Sequence, residues 1–149
     1  MIDNEYQIQR ALCTATASWL RACAVIAAWS LGLSVVAIAL LTLGARSLAV
    51  PTLAGLGVVA TAGLLERYFA LRIRLDAGLF QGLADGAISS VGVLDASLEQ
   101  LGLRKTNGTA GVQRSLDDRI RGARRLARRH ALLVAAQSAV FVGVLLMLR

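Results

Sequence analysis

The chain has 149 residues, 56% of them hydrophobic, and carries a formal net charge of +7. Three stretches contain no charged residue, at 22–45, 47–65 and 131–148. Pooling of this kind excludes an ordinary water-soluble domain, in which apolar and polar residues alternate. Because a helix rises about 1.5 Å per residue, each stretch is long enough to cross a hydrocarbon core of roughly 30 Å, the third only just. We therefore predict an all-α integral membrane protein with three transmembrane helices and a cytoplasmic antiparallel helical hairpin between spans two and three.

The N-terminal part of the chain predicts an interfacial helix followed by a pair of spans. Residues 1–20 have the pattern of an amphipathic helix that lies at the membrane surface. Residues 21–72 then form a transmembrane hairpin, with its outer turn at 44–51. Arg21 and Glu66 flank the inner ends of the two spans, which predicts an inter-span salt bridge between them. The alternative is that each side chain reaches the lipid headgroups independently.

Residues 73–129 are predicted to form the cytoplasmic hairpin, and its first helix carries a repeated glycine. Gly78, Gly82 and Gly86 share one helix face, which is typical of a close approach by another helix backbone. The alternative is that these glycines bend or break the helix. The predicted packing or partner face consists of Gly78, Gly82, Gly86, Leu83, Val91, Leu94 and Leu98. The helix is expected to stop at Gly102, before a turn at 104–111.

A second hairpin helix is predicted from about Val112 and leads without a breaker into the third span, at 130–149. Its apolar positions have the helical spacing 4, 3, 4. They are Leu116, Ile120, Ala123 and Ala127. A basic row lies just before the span and comprises Arg119, Arg121, Arg124, Arg125, Arg128 and Arg129. We interpret this row as an anchor that contacts anionic lipids. An acidic partner protein is the alternative, and nucleic acid is not expected because no aromatic residues are interleaved with the arginines.

The distribution of positive charge predicts the orientation. Twelve of the 16 Lys and Arg residues lie between the second and third uncharged stretches, and only Arg46 lies between the first and second. Since Lys and Arg collect on the cytoplasmic side, we expect a multi-pass protein of a bacterial-type inner membrane. Its N-terminus is then cytoplasmic and its C-terminus outside.

No residue pattern predicts catalysis, a metal site or a cofactor. Cys13 and Cys23 lack further cysteine partners, and His130 has no carboxylate or cysteine near it in sequence. We therefore expect a non-enzymatic accessory, scaffold or assembly subunit of a larger membrane complex, whose partners are other membrane subunits, anionic lipids or further copies of the chain.

Two alternatives to the accessory role stay open. The first is a small homo-oligomeric channel or transporter, with a pore lined by Thr42, Thr52 and Thr61. The second is a small lipid-modifying enzyme that uses Glu66 and Asp76. Against a solute pathway, the uncharged stretches themselves contain no ionisable side chain apart from Cys23 and place Arg21, Glu66 and His130 only at their edges.

Overall fold

The computed structural model describes residues 2–100, 102 and 115–147. Within these ranges the protein is helical and contains no strand. The helices are α1 (Ile2–Gly44), α2 (Val50–Asp85), α3 (Val91–Gln100) and α4 (Leu116–Met147). Three of them, α1, α2 and α4, are long and apolar enough to cross a membrane, which confirms the predicted class and the number of candidate spans.

The connection between α1 and α2 is short and lies where the sequence predicts it. Gly44 ends α1, and its carbonyl accepts hydrogen bonds from the backbone N–H groups of Ser47 and Leu48. Pro51 is the second residue of α2, where its missing N–H leaves no helical hydrogen bond unmade. At the other end of α1, the helix continues from Ile2 into the first uncharged stretch without a boundary near residue 20.

The long first helix predicted for the cytoplasmic hairpin is interrupted. Helix α2 runs past the second uncharged stretch but ends at Asp85, because Gly86 adopts a left-handed conformation with φ +79°. The Ile88 N–H then bonds the Gly82 carbonyl at 3.0 Å. Of the two interpretations of the glycine repeat, the helix break is therefore the one observed, and it lies at Gly86. Gly102, with φ +69°, follows α3 as predicted.

Helix α4 begins at Leu116, immediately after a capping serine. The Ser115 hydroxyl accepts a hydrogen bond from the Asp118 N–H at 3.2 Å and donates one to the Asp118 carboxylate at 2.9 Å. This exchange satisfies a backbone donor that the first helical turn leaves unpaired. The predicted turn at 104–111 and the predicted helix start at Val112 lie outside the described residues.

The chain divides into two compact units, to which α1, α2 and α4 each contribute. The first unit comprises Met1–Arg21 and Arg74–Arg125. Its buried side chains include Leu20, Phe80 and Ile120. The Arg10 guanidinium donates from Nε to the Ala84 carbonyl at 2.7 Å, which satisfies one of the last carbonyls of α2.

The second unit comprises Ala22–Ile73 and Leu126–Arg149 and contains all three uncharged stretches. An apolar cluster occupies part of its interior and consists of Leu33, Ala37, Leu56, Val59 and Val144. These residues come from α1, α2 and α4, so the second unit is held together by packing of three helices. Polar side chains are buried in the same unit, and they form the candidate site.

Candidate functional site

Two helical stripes place ionisable side chains inside the second unit. On α2, the buried residues Thr52, Leu56, Val59, Gly63, Glu66, Ala70 and Ile73 are spaced alternately by four and three residues. On α4, the seam that includes Ile120, Ala123 and Ala127 continues with the same spacing to His130, Val134 and Gln137. Because such spacing keeps side chains on one helix face, Glu66 and His130 lie on buried faces.

Glu66 and His130 contact each other and are fully buried. Glu66 Oε2 lies 3.0 Å from His130 Nδ1, and both side chains have 0% exposure. The sequence predicts Arg21 as the partner of Glu66, but the partner observed is His130, and Arg21 is exposed. Neither side chain reaches the surface of the chain, so both face neighbouring helices, and their depth in the membrane stays a prediction.

The contact between Glu66 and His130 leaves their hydrogen-bonding capacity unused. Although 3.0 Å is a hydrogen-bonding distance, the contact does not have the angles of a hydrogen bond. Both carboxylate oxygens and both imidazole nitrogens are buried without a hydrogen-bond partner in the described part of the chain. Buried polar groups in proteins are nearly always satisfied, so four such atoms in one place make this pair the candidate site.

Arg67 and the backbone of α1 complete the surroundings of this pair. Arg67 Nη2 donates to the Ala27 carbonyl, and the guanidinium is close enough to act electrostatically on both Glu66 and His130. The Cys23 carbonyl on α1 also lies close to the imidazole. All three long helices therefore contribute groups around the pair. We call Glu66, Arg67 and His130 the ionisable layer.

A second polar cluster lies one heptad from the ionisable layer, and its hydrogen bonds are complete. Ser30 Oγ donates to Gln137 Oε1 at 2.6 Å, and Gln137 Nε2 donates to Ser34 Oγ at 3.0 Å and to the Val59 carbonyl at 3.1 Å. Ser34 Oγ in turn donates to the Ser30 carbonyl at 2.8 Å. We call Ser30, Ser34 and Gln137 the amide layer, and it cross-links α1, α2 and α4.

The amide layer depends on a glycine of α2. A Cβ at Gly63 would overlap Ser34 Oγ and would lie 2.8 Å from Ser34 Cβ and 3.4 Å from Gln137 Nε2. Only a residue without a side chain allows the two helices to approach this closely. The sequence prediction placed close helix approach at a different set of glycines.

Among the residues that the structure describes, no second backbone approaches the predicted glycine face. A Cβ would meet nothing within 4 Å at Gly78 or Gly86, and at Gly82 it would meet only the side chain of Ile88. Of the apolar members of that face, Leu94 is buried, whereas Leu83, Val91 and Leu98 are half-buried. Packing of this face against another molecule stays a prediction.

The basic row lies on the exposed side of α4 for most of its length. Arg121, Arg124, Arg125, Arg128 and Arg129 are exposed, and Arg119 is half-buried. The exposed guanidinium groups are accessible to phosphate or carboxylate groups outside the chain.

The residues named for the other two functions are not assembled into a site. Thr42 and Thr61 are exposed and donate hydrogen bonds to carbonyls of their own helices, whereas Thr52 is buried. Asp76 is half-buried. Among the residues that the structure describes, no three His, Cys, Asp or Glu side chains are grouped to hold a metal ion.

Sequence reasoning missed the ionisable layer although the signal was present. The apolar spacing of Leu116, Ile120, Ala123 and Ala127 continues after three residues to His130, so the histidine shares their helix face. A search for uncharged stretches also ends each span at the first charged residue, which places Glu66 at an edge.

No known protein family, characterised protein or solved structure matches the chain.

Proposed function

We propose that this chain is an integral membrane protein that crosses the bilayer three times through α1, α2 and α4. The observation that carries the proposal is the inverted polarity of the second unit. Its polar side chains Ser30, Glu66, His130 and Gln137 are buried at 2% exposure or less. Large apolar side chains cover the outside instead, among them Val25, Leu64 and Leu132, which are 60% to 75% exposed.

Inverted polarity of this kind is favourable only where the surroundings are apolar. In water, exposed apolar side chains on three long helices would drive association of the chain. In lipid, the same side chains contact acyl chains, and buried polar groups hold the helices together because lipid supplies no hydrogen bonds. The concentration of arginine between spans two and three supports a cytoplasmic N-terminus and an outer C-terminus in a bacterial-type inner membrane.

Within the membrane, we infer a non-enzymatic accessory or assembly role in a larger complex. The amide layer fixes the three helices relative to one another through hydrogen bonds, as expected of a rigid packing element. Its outer faces offer apolar side chains to neighbouring transmembrane helices, and the exposed arginines offer charge to acidic proteins or anionic lipids. Complete burial of Glu66 keeps it from direct contact with a lipid substrate and does not favour the lipid-modifying alternative.

The topology is tested by labelling single cysteines in intact cells. In a background with Cys13→Ala and Cys23→Ala, Ser47→Cys lies in the exposed outer turn and Ser89→Cys in the exposed segment before α3. A membrane-impermeant maleimide is expected to label position 47 directly and position 89 only after the membrane is opened. Labelling of position 89 in intact cells would refute the orientation, and solubility of the purified chain without detergent would refute insertion.

The accessory role is tested by affinity purification in mild detergent. The wild-type chain is expected to retain a larger membrane protein in a fixed ratio. A matched variant with Arg124→Gln, Arg125→Gln and Arg128→Gln shows whether the basic row binds an acidic protein or anionic lipid. Loss of the co-purified protein indicates an acidic protein surface. Loss of bound lipid alone indicates headgroup binding. Recovery of the chain only as a homo-oligomer would contradict the accessory role.

A small proton-linked channel or transporter is the second candidate, and the ionisable layer is the observation that favours it. Ionisable side chains buried between transmembrane helices are costly and commonly mark ion or proton pathways. Proton flux into liposomes that contain only this chain, abolished by Glu66→Gln, would favour the channel or transporter over the accessory role.

A further inference from the structure

We propose that Glu66 and His130 together form a proton-binding site inside the second unit. The ligand is a single proton, held between the carboxylate of α2 and the imidazole of α4 across the 3.0 Å contact. This inference rests on the geometry of the unit and does not depend on whether the chain serves as an accessory subunit or as a transporter.

The contrast between the two polar layers is the first argument. In the amide layer every side-chain donor makes a hydrogen bond and no polar side-chain atom is without a partner, so the layer stabilises the bundle without needing to change. The ionisable layer leaves four polar atoms of Glu66 and His130 without a hydrogen-bond partner in the part of the chain that is described. Oε2 and Nδ1 lie 3.0 Å apart, so a proton on either atom has an acceptor within hydrogen-bonding distance once the two side chains turn to align it. Of the two layers, only this one contains a histidine, the side chain whose charge ordinarily changes near neutral pH.

The charge balance of the site is the second argument. Among the described residues, the charged group that acts on both Glu66 and His130 is Arg67 on α2, and on α1 it is the backbone carbonyl of Cys23 that lies near the imidazole. With Glu66 ionised, Arg67 positive and His130 neutral, the site has no net charge. Adding a proton gives the site one net positive charge, which the Glu66 carboxylate beside Arg67 and His130 partly offsets, and a second proton would remove that offset. The charges therefore limit the site to one proton.

The single histidine of the chain allows a direct test. The complete protein is labelled with nitrogen-15 histidine, purified in mild detergent and titrated from about pH 5 to pH 9, a range that brackets the ordinary histidine value. We expect one reversible titration of the imidazole nitrogens while helix content stays constant. An imidazole that does not change protonation anywhere in this range would overturn the proposal.

Two variants show whether the proton belongs to the pair. Glu66→Gln removes the negative charge beside the imidazole, so the midpoint of the His130 titration is expected to move to lower pH by about one to three pH units. Ser34→Ala is the matched control, because it removes the two hydrogen bonds of Ser34 Oγ in the amide layer and leaves every charge in place. It is expected to leave the midpoint unchanged. Equal midpoints in Glu66→Gln and the wild type would overturn the proposal.

A measurement on the wild-type chain covers the case in which Glu66→Gln does not fold. The chain contains three glutamates, and Glu5 and Glu99 are exposed. With carbon-13 labelled glutamate side chains, the carboxyl signal of Glu66 is expected to change at the same midpoint as the His130 nitrogens. A Glu66 signal that is constant through the histidine titration would show that the two groups do not share a proton-binding site.

Discussion

Replacement of Gly63 by alanine is the sharpest test of the packing that we describe. The new methyl group would overlap Ser34 Oγ and would also lie 2.8 Å from Ser34 Cβ. Because one of the atoms that it meets is Ser34 Cβ, whose position is fixed by the backbone of α1, rotation of the Ser34 hydroxyl alone cannot accommodate the methyl group. Helices α1 and α2 must separate, and the 3.0 Å hydrogen bond from Gln137 to Ser34 is strained or lost.

The magnitude follows from three contributions. Overpacking of this size costs about 1–3 kcal/mol. Loss of one interhelical hydrogen bond adds about 0.6 kcal/mol on average in membrane proteins. Replacement of glycine by alanine within a helix returns up to about 1 kcal/mol. We therefore expect Gly63→Ala to lower the free energy of unfolding by about 1–3 kcal/mol.

Gly57→Ala is the matched control on the same helix, because a Cβ at Gly57 meets nothing within 4 Å. It is expected to raise the free energy of unfolding by about 0.5–1 kcal/mol through helix propensity alone. Both variants are compared by far-UV circular dichroism during denaturation in detergent micelles. Equal stabilities for the two variants would refute the close approach at Gly63. The double variant Gly63→Ala with Ser34→Gly removes the overlapping atoms. Its free energy of unfolding is expected to be higher than the sum of the two single-variant changes predicts.

Two further predictions concern the first unit. The hydrogen bond from the Ser115 hydroxyl, followed by that from Arg121, holds the pKa of Asp118 below its ordinary value. Since the folded pKa is lower than the unfolded one, this stabilisation is complete above about pH 4 and is lost as the pH falls through the folded pKa. Hydrogen-exchange protection of the first turn of α4 is therefore expected to fall in the wild type as the pH is lowered towards about pH 2. The Asp118→Asn variant is expected to lack this acid dependence. Unchanged protection of the wild type at pH 2 would contradict the prediction. Gly86→Ala is expected to cost about 1–2 kcal/mol because φ is +79°, whereas Gly78→Ala is expected to gain up to about 1 kcal/mol, both measured by chemical denaturation. A destabilised Gly78→Ala would instead indicate that this glycine packs against another molecule.

The helices were predictable because length and apolar composition determine them. Three uncharged stretches of 18 residues or more leave few alternatives to long helices, and Gly44, Pro51 and Gly102 have backbone preferences that act locally. The break at Gly86 was only one of two interpretations, since glycine at four-residue spacing serves close packing as well as helix termination. Which of the two occurs depends on whether a neighbouring backbone is present, and local sequence does not contain that information.

The site was not predicted because its partners are distant in sequence. Glu66 and His130 are brought together only when the buried stripes of α2 and α4 face each other. The predicted pairing of Glu66 with Arg21 used depth in the membrane alone, and depth does not specify the rotation of a helix about its axis. The spacing of buried residues does specify that rotation, and it places Glu66 on the same face as Val59 and Ile73.

Replacing both Glu66 and His130 shows whether this ionisable pair serves to stabilise the bundle or to bind a proton. A buried ion pair is often no more stable than apolar side chains of similar volume, whereas removal of one partner leaves an uncompensated polar group. In an Arg67→Leu parent, which lacks the cation that would otherwise lose its carboxylate counterion, we therefore expect Glu66→Leu with His130→Leu to have a free energy of unfolding at least equal to that of the parent and each single leucine variant to have a lower one, as measured by denaturation in detergent micelles. If the ionisable layer instead serves to hold the helices together, the double variant is the least stable of the three. If the double variant is stable and its unfolding no longer depends on pH, proton binding is the property that explains ionisable side chains at these two positions.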